Sequence, residues 1–124
     1  MIVEVKVAGL AGFLLAKVAA AHSRRKPKDW YDLAFVLIHN NEGGSANAAS
    51  RVKAVLGDEI KKGYINTALN DLKANFQNPT DQGPIAYGLQ FTRDHPGTDE
   101  VVVRADAIVA VQEFYEAIFA SEVL

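Results

Sequence analysis

The chain has 124 residues, of which 49% are hydrophobic and 23% charged, a composition typical of one globular domain and not of a disordered segment. It contains no cysteine, which excludes disulfides and thiolate metal sites and favours a reducing, cytoplasmic setting. His22, His39 and His95 lie far apart without metal-ligand spacing, so no metal site is expected.

The formal net charge of −2 is unevenly distributed along the chain. Residues 1–74 carry eleven basic and seven acidic side chains, a net of +4, whereas residues 75–124 carry two and eight, a net of −6. This asymmetry indicates either an anionic ligand on the first half or simple charge segregation on a solvated surface.

The N-terminal segment, residues 2–7, alternates Val or Ile with Glu4 and Lys6, which predicts a half-exposed β-strand. A lone strand leaves backbone groups unpaired, so we expect a homodimer or a catalytic partner chain that pairs with it. The apolar run that follows imitates a signal peptide, but Lys17 interrupts it and it is too short to cross a bilayer. We therefore predict neither export nor a membrane segment.

The remainder predicts a mainly α fold, an irregular bundle of five or six helices forming a single domain over residues 1–124. Gly, Asn and Pro clusters separate the helices, and residues 58–62 fit either a turn or a further helical piece. Ser45 is the expected cap of the third helix, and Gly57 closes it. The predicted helices span residues 10–22, 27–39, 45–56, 66–76, 85–91 and 98 onward. For residues 85–91 the pattern fits either a short helix or a strand, and we favour the helix.

The apolar faces of the first, second and last helices predict the core. In the last helix, the expected buried stripe is Val101, Ala105, Ile108, Val111, Tyr115 and Ile118, with Asp106, Glu113 and Glu116 facing water. Across the bundle, the predicted core includes Leu14, Val18, Leu33, Val36, Leu37, Ile108, Val111 and Ile118.

Lys17 is a charge within an apolar helix, and such a side chain either extends to solvent or meets an acid. Asp29 and Asp32 share one face of the next helix because they are three residues apart. A short loop between antiparallel helices would bring Lys17 to that face, and Lys28 can pair with Asp32. This pattern fits either a structural ion network or part of a binding site.

The loop between these helices is strongly basic, with Arg24, Arg25, Lys26 and Lys28 within five residues. It lies beside a helix N-terminus, where backbone amides and the helix dipole favour a phosphate. A solvated basic loop is the alternative, and nucleic-acid binding through residues 24–28 is a third reading.

The segment resembles the C-terminal signature of the abortive-infection nucleotidyltransferase toxins, the AbiEii/AbiGii family. That signature is a helix with a lysine, then an arginine, then a basic-Pro-basic-Asp-x-x-Asp-Leu run. The chain has Lys17, Arg24, Lys26-Pro27-Lys28-Asp29 and Tyr31-Asp32-Leu33 at these positions. The similarity covers residues 2–40, and the remainder agrees only in being helical.

The resemblance implies that Lys17 and Arg24 bind nucleotide phosphates with Lys28 assisting. It implies that Asp29 positions Lys17 or a catalytic group and that Asp32 supports this network, both as catalytic residues in supporting roles. Members of the family also carry a Gly-Ser motif and a magnesium-binding Asp-x-Asp pair in an N-terminal half, and no Asp-x-Asp occurs here. We therefore expect the chain alone to be inactive, and to need a catalytic half that supplies Mg²⁺ and the nucleoside triphosphate site.

The alternative is a non-enzymatic protein-interaction module that assembles through its N-terminal strand and apolar helices. In that case, the network of Lys17, Asp29 and Asp32 is purely structural.

Overall fold

The computed structural model describes residues 7–40 and 43–120, and these fold into six α-helices. The mainly α prediction is confirmed. The predicted strand at residues 2–7 lies outside the described residues except for Val7, which begins α1. No helix within the described ranges is both long and apolar enough to cross a membrane. The helices are α1 (Val7–Arg24), α2 (Pro27–His39), α3 (Gly44–Leu56), α4 (Gly63–Ala74), α5 (Gln82–Asp94) and α6 (Glu100–Phe119), with a 3-10 turn at Gly57–Lys61.

The bounds of α2 agree with the prediction, whereas the other helices begin one to three residues from their predicted starts. The expected Ser45 cap is wrong, because Gly43 occupies the N-cap position of α3 with φ of 104° and Ser45 is buried. A left-handed φ suits glycine, which has no Cβ to clash. In α6, the Asp99 carboxylate accepts a hydrogen bond from the Val101 amide at 2.9 Å, so the helix begins after Asp99 and not at Thr98. By contrast, α4 begins at Gly63, three residues before the predicted residue 66.

A single core joins the helices, with α1 against α2, α3 and α4, and with α6 against α2, α3 and α5. Its largest fully buried side chains include Trp30, Phe76 and Phe114, and the Trp30 and Phe76 rings meet edge to face at 6.1 Å. Val36 and Ile108 are only partly buried. The other six predicted core residues are buried: Leu14, Val18, Leu33, Leu37, Val111 and Ile118.

The predicted buried stripe of α6 is wrong at four of its six positions. Val101 is 77% exposed, Ala105 is exposed, and Ile108 and Tyr115 are half-buried. The helix instead buries Val103, Ala107, Ala110, Val111, Phe114 and Ile118. Because α6 is apolar on several sides, its packing against α3 and α5 selects the buried face. Alanines at the contact also let the neighbouring helices approach closely.

Gly83 lies where the start of α5 meets the buried ring of Phe76, and a Cβ at this position would overlap that ring. We expect Gly83→Ala to lower the free energy of unfolding by about 1–3 kcal/mol, because a core ring must move. Urea denaturation measures the change. The matched control is Gly12→Ala, where a Cβ would meet nothing within 4 Å and where alanine should stabilise the helix by up to about 1 kcal/mol. Equal unfolding midpoints for the two variants would contradict this packing.

Candidate functional site

The residues predicted from the sequence meet where α1 and α2 join. Lys17 Nζ lies 2.8 Å from Asp32 Oδ2 and 3.5 Å from Asp29 Oδ1. Both acids face α1 because they lie one helical turn apart on α2 and the connecting loop is only two residues long. The predicted contact between the lysine and both carboxylates is confirmed, whereas the functional roles of these residues stay predictions.

Asp29 is the buried centre of this site, with only 2% of its side chain exposed. Nη2 of Arg24 donates to both of its oxygens, at 2.8 and 3.0 Å. Together with Lys17, this gives the buried carboxylate two cationic partners, which a charge so removed from water requires. We call the set Lys17, Arg24, Lys28, Asp29 and Asp32 the α1–α2 corner.

Arg24 is anchored at one end only. Its side chain is 60% exposed, and Nη1 and Nε make no hydrogen bond to any described residue. A guanidinium has five N–H donors, so most of the donors of Arg24 remain available to a ligand. In a bidentate contact, two guanidinium nitrogens bind the two carboxylate oxygens. That geometry would leave fewer donors of Arg24 available to a ligand.

The outer part of the corner is more open to solvent. Asp32 is 18% exposed, and Lys28, which is 80% exposed, lies 3.4 Å from it, a geometry that contributes little to stability. The hydrogen bond that Lys17 donates to Asp32 raises the pKa of Lys17 above its ordinary value of 10.5, although burial opposes the charged form. The three cations of the corner exceed its two carboxylates by one charge.

The corner does not fit a magnesium site. Both of its carboxylates already face ammonium or guanidinium groups, which repel a divalent cation, and Mg²⁺ prefers several free oxygen ligands. Among the described residues, no group of three or more His, Asp or Glu side chains is placed to bind a metal ion.

A second ion cluster lies on the other side of the same loop, around Asp71 of α4. Asp71 Oδ2 lies 2.9 Å from His22 Nδ1 and 2.8 Å from Arg25 Nη1, and its Oδ1 accepts from Asn75 at 3.1 Å. No local sequence pattern indicates these contacts, because Asp71 lies 49 residues from His22. Arg25 is therefore not the free cation that the sequence indicated.

The N-terminus of α2 completes the site. Lys26 is its N-cap, makes no side-chain cap hydrogen bond, and precedes Pro27 at the first position of the helix. Lys26 makes no ion pair within residues 7–40 and 43–120. The positive end of the helix dipole and an unpaired ammonium therefore lie together beside Arg24 and Lys28.

An aromatic ladder holds α2 against α5. Burial lowers the pKa of His39, and the charge of His95 lowers it further. The ladder has a signal in the sequence, since both helices carry Tyr-x3-Phe-x3-His, a spacing that places three rings on one face. Its rings are Tyr31, Phe35 and His39 on α2, Tyr87 and Phe91 on α5, and His95 at the C-cap of α5, with centroids 4.2–6.2 Å apart.

Comparison with models of protein families, with curated proteins and with solved structures finds no match for this chain. The function must therefore be argued from the site itself.

Substitutions at Asp29 and Lys17 should both lower stability, and the loss should be larger at Asp29. Asp29→Asn removes the charge that holds Arg24 and Lys17, and we expect it to lower the free energy of unfolding by about 1.5–3 kcal/mol. Lys17→Met should lower it by less, since Asp29 keeps Arg24 and Asp32 keeps Lys28. Urea denaturation at neutral pH measures both, and a larger loss in Lys17→Met than in Asp29→Asn would show that the lysine is the indispensable member.

The Asp71 cluster should make the fold sensitive to acid. Burial raises the pKa of Asp71, but the hydrogen bonds from Arg25 and His22 outweigh this and hold it below the ordinary 3.8. Because the folded pKa is the lower one, the stabilisation is complete above pH 3.8 and is lost as the pH falls through the folded value. We expect wild type to lose more stability than Asp71→Asn between about pH 5 and pH 2. Urea unfolding across this range measures the difference, and parallel pH profiles would contradict it.

Proposed function

We propose that this chain is the helical part of a nucleotidyltransferase, and that its α1–α2 corner binds the phosphates of a nucleoside triphosphate. The exposed guanidinium of Arg24, fixed to the buried Asp29 through a single nitrogen, is the observation that carries the proposal. A cation that is already oriented loses little conformational freedom on binding. Arginine donors also match the geometry of phosphate oxygens.

The surroundings of Arg24 favour an anion as well. The corner has one excess positive charge, Lys26 adds another, and the positive end of the α2 dipole lies beside them. Each feature alone is common on protein surfaces, but together they supply both the charge and the directed donors that phosphate recognition uses.

The two carboxylates fit a positioning role in this scheme. Asp29 fixes Arg24, and Asp32 fixes Lys17, so the acids determine where the cations lie without contacting the phosphates. The acids of the corner are unsuited to magnesium, so the metal-holding carboxylates and the acceptor site belong to another polypeptide segment. The resemblance of residues 2–40 to the AbiEii/AbiGii signature supports the same separation between phosphate-binding residues in this chain and metal-binding residues elsewhere.

Binding of nucleotide without metal tests this proposal. We expect ATP and inorganic tripolyphosphate to bind with similar affinity, because the corner contacts phosphates and not the base. Arg24→Ala should weaken both by about tenfold or more, the value of one charge-assisted hydrogen-bonding group. Isothermal titration calorimetry in magnesium-free buffer measures the affinities.

The matched control is Lys62→Ala, which removes an exposed cation at the N-cap of α4, outside the corner. Its only ion pair among the described residues is a loose one with Glu59 at 3.9 Å. Unchanged affinity in this variant supports a specific site. The proposal fails if wild type shows no binding at millimolar ligand, or if Lys62→Ala weakens binding as much as Arg24→Ala.

A second candidate function is a protein-interaction module, with the corner serving only to fix α1 on α2. The exposed valines of α6 favour it, since Val101 is 77%, Val102 54% and Val109 55% exposed. A second copy of the chain that covers this face would remove these apolar side chains from water. Sedimentation of wild type and of the double variant Val101→Ser, Val109→Ser separates the two candidate functions. The interaction module requires wild type to form a dimer that the variant does not form, whereas nucleotide binding requires no such difference.

A further inference from the structure

A groove runs between α5 and the N-terminal turn of α2, next to the proposed phosphate site, with which it shares Lys28. It consists of two adjoining cavities of about 570 and 250 Å³ that share Pro27, Ala86 and Leu89 as lining residues. Its walls follow α5 from Gln82 to Arg93, a length of roughly 16 Å at the rise of an α-helix. We call it the α2–α5 groove.

Cations outnumber acids in the lining of the groove. Arg25, Lys28 and Arg93 line it, and Asp94 is the one carboxylate among its lining residues. Outside the lining, Arg25 pairs with Asp71 at 2.8 Å and Lys28 with Asp32 at 3.4 Å, so Arg93 is the cation of the groove that makes no ion pair among the described residues. Gln90 Nε2 donates to both oxygens of Asp94, at 3.1 and 3.0 Å, which partly satisfies this acid. A ligand with several negative charges is therefore complementary to the groove.

Between the cations, the lining is apolar. Leu89 is 49% exposed, and Pro27, Ile85 and Ala86 lie beside it in the lining. An exposed leucine within a groove offers a contact for an aliphatic side chain.

The lining does not offer a surface on which nucleic-acid bases could stack. Tyr31 is the aromatic side chain of the larger cavity, but Tyr87 stacks against it at 5.4 Å and Phe35 lies at 5.6 Å. Single-stranded nucleic acids are commonly bound by stacking of bases on open aromatic faces. The covered ring of Tyr31 therefore favours a peptide over a nucleic acid.

Trp30 lies in the wall of the smaller cavity and is 1% exposed. Its Nε1 is buried and has no hydrogen-bond partner among the described residues. Because the residue lines the cavity, a ligand bound there changes the surroundings of the indole ring.

We propose that the α2–α5 groove binds an extended, acidic segment of another protein, with carboxylates near Arg25, Lys28 and Arg93 and an aliphatic side chain against Leu89. An extended chain advances about 3.3 Å per residue, so the groove accommodates about five residues. Lys28 belongs to both sites, but Leu89, Trp30 and Arg93 take no part in the corner, so binding in the groove can be tested separately from binding at the corner.

The single tryptophan of the chain gives a direct test, because its indole N–H yields one resonance in a ¹⁵N-labelled sample. The probe is a six-residue peptide of alternating Glu and Leu, blocked at both ends. We expect saturable movement of the indole resonance and weaker binding at high salt. Arg93→Glu should lower the affinity about fivefold to tenfold by replacing attraction with repulsion.

Three controls make the outcome specific. The peptide with Gln in place of Glu should not bind, Lys62→Glu should bind as wild type does, and Arg24→Ala should keep peptide binding even if nucleotide binding is lost. The proposal is overturned if the indole resonance does not move at millimolar peptide, or if Arg93→Glu binds as well as wild type. It is also overturned if an oligouridylate moves that resonance and the Glu-Leu peptide does not.

Discussion

The buried carboxylate of Asp29 is the interaction on which the arrangement of α1 and α2 depends. A side chain only 2% exposed keeps its charge in the fold only with cations beside it, and both of its cations come from α1. Lys17 and Arg24 are seven residues apart, two turns of the same helix face, so the acid fixes both the distance and the rotation of α1 against α2. Any ligand at the corner meets cations whose positions are already set.

The loop that follows α1 shows why two adjacent arginines are not equivalent. Arg24 turns to Asp29 on α2, whereas Arg25 turns to Asp71 on α4. Arg25 has φ of 55° and donates its amide to the Ala21 carbonyl at 3.0 Å, a helix end at which glycine is usual. A non-glycine residue there costs on the order of 1 kcal/mol. Its ion pair with Asp71 and its cation–π contact with Trp30 at 5.7 Å offset this cost.

Most of the fold and the centre of the site could be predicted from local patterns. The breaks between helices follow from Gly, Pro and Asn clusters, and the contact of Lys17 with Asp29 and Asp32 follows from helical spacing and a short loop. The buried face of α6 could not be predicted, because apolar residues cover several of its sides and α3 and α5 decide which one is buried. The Asp71 cluster depends on how α4 packs against α1, so no spacing in the sequence encodes it.

The corner and the groove meet at one residue. Lys28 lies 3.4 Å from Asp32 and also lines the α2–α5 groove, and with 80% of its side chain exposed it can turn to either side. An acidic segment in the groove would draw this ammonium away from the corner and add negative charge near it. A phosphate at the corner would act in the opposite direction. Two anions that share a cation lower each other's affinity by the same factor, so the geometry of Lys28 favours mutual antagonism between the two proposed ligands.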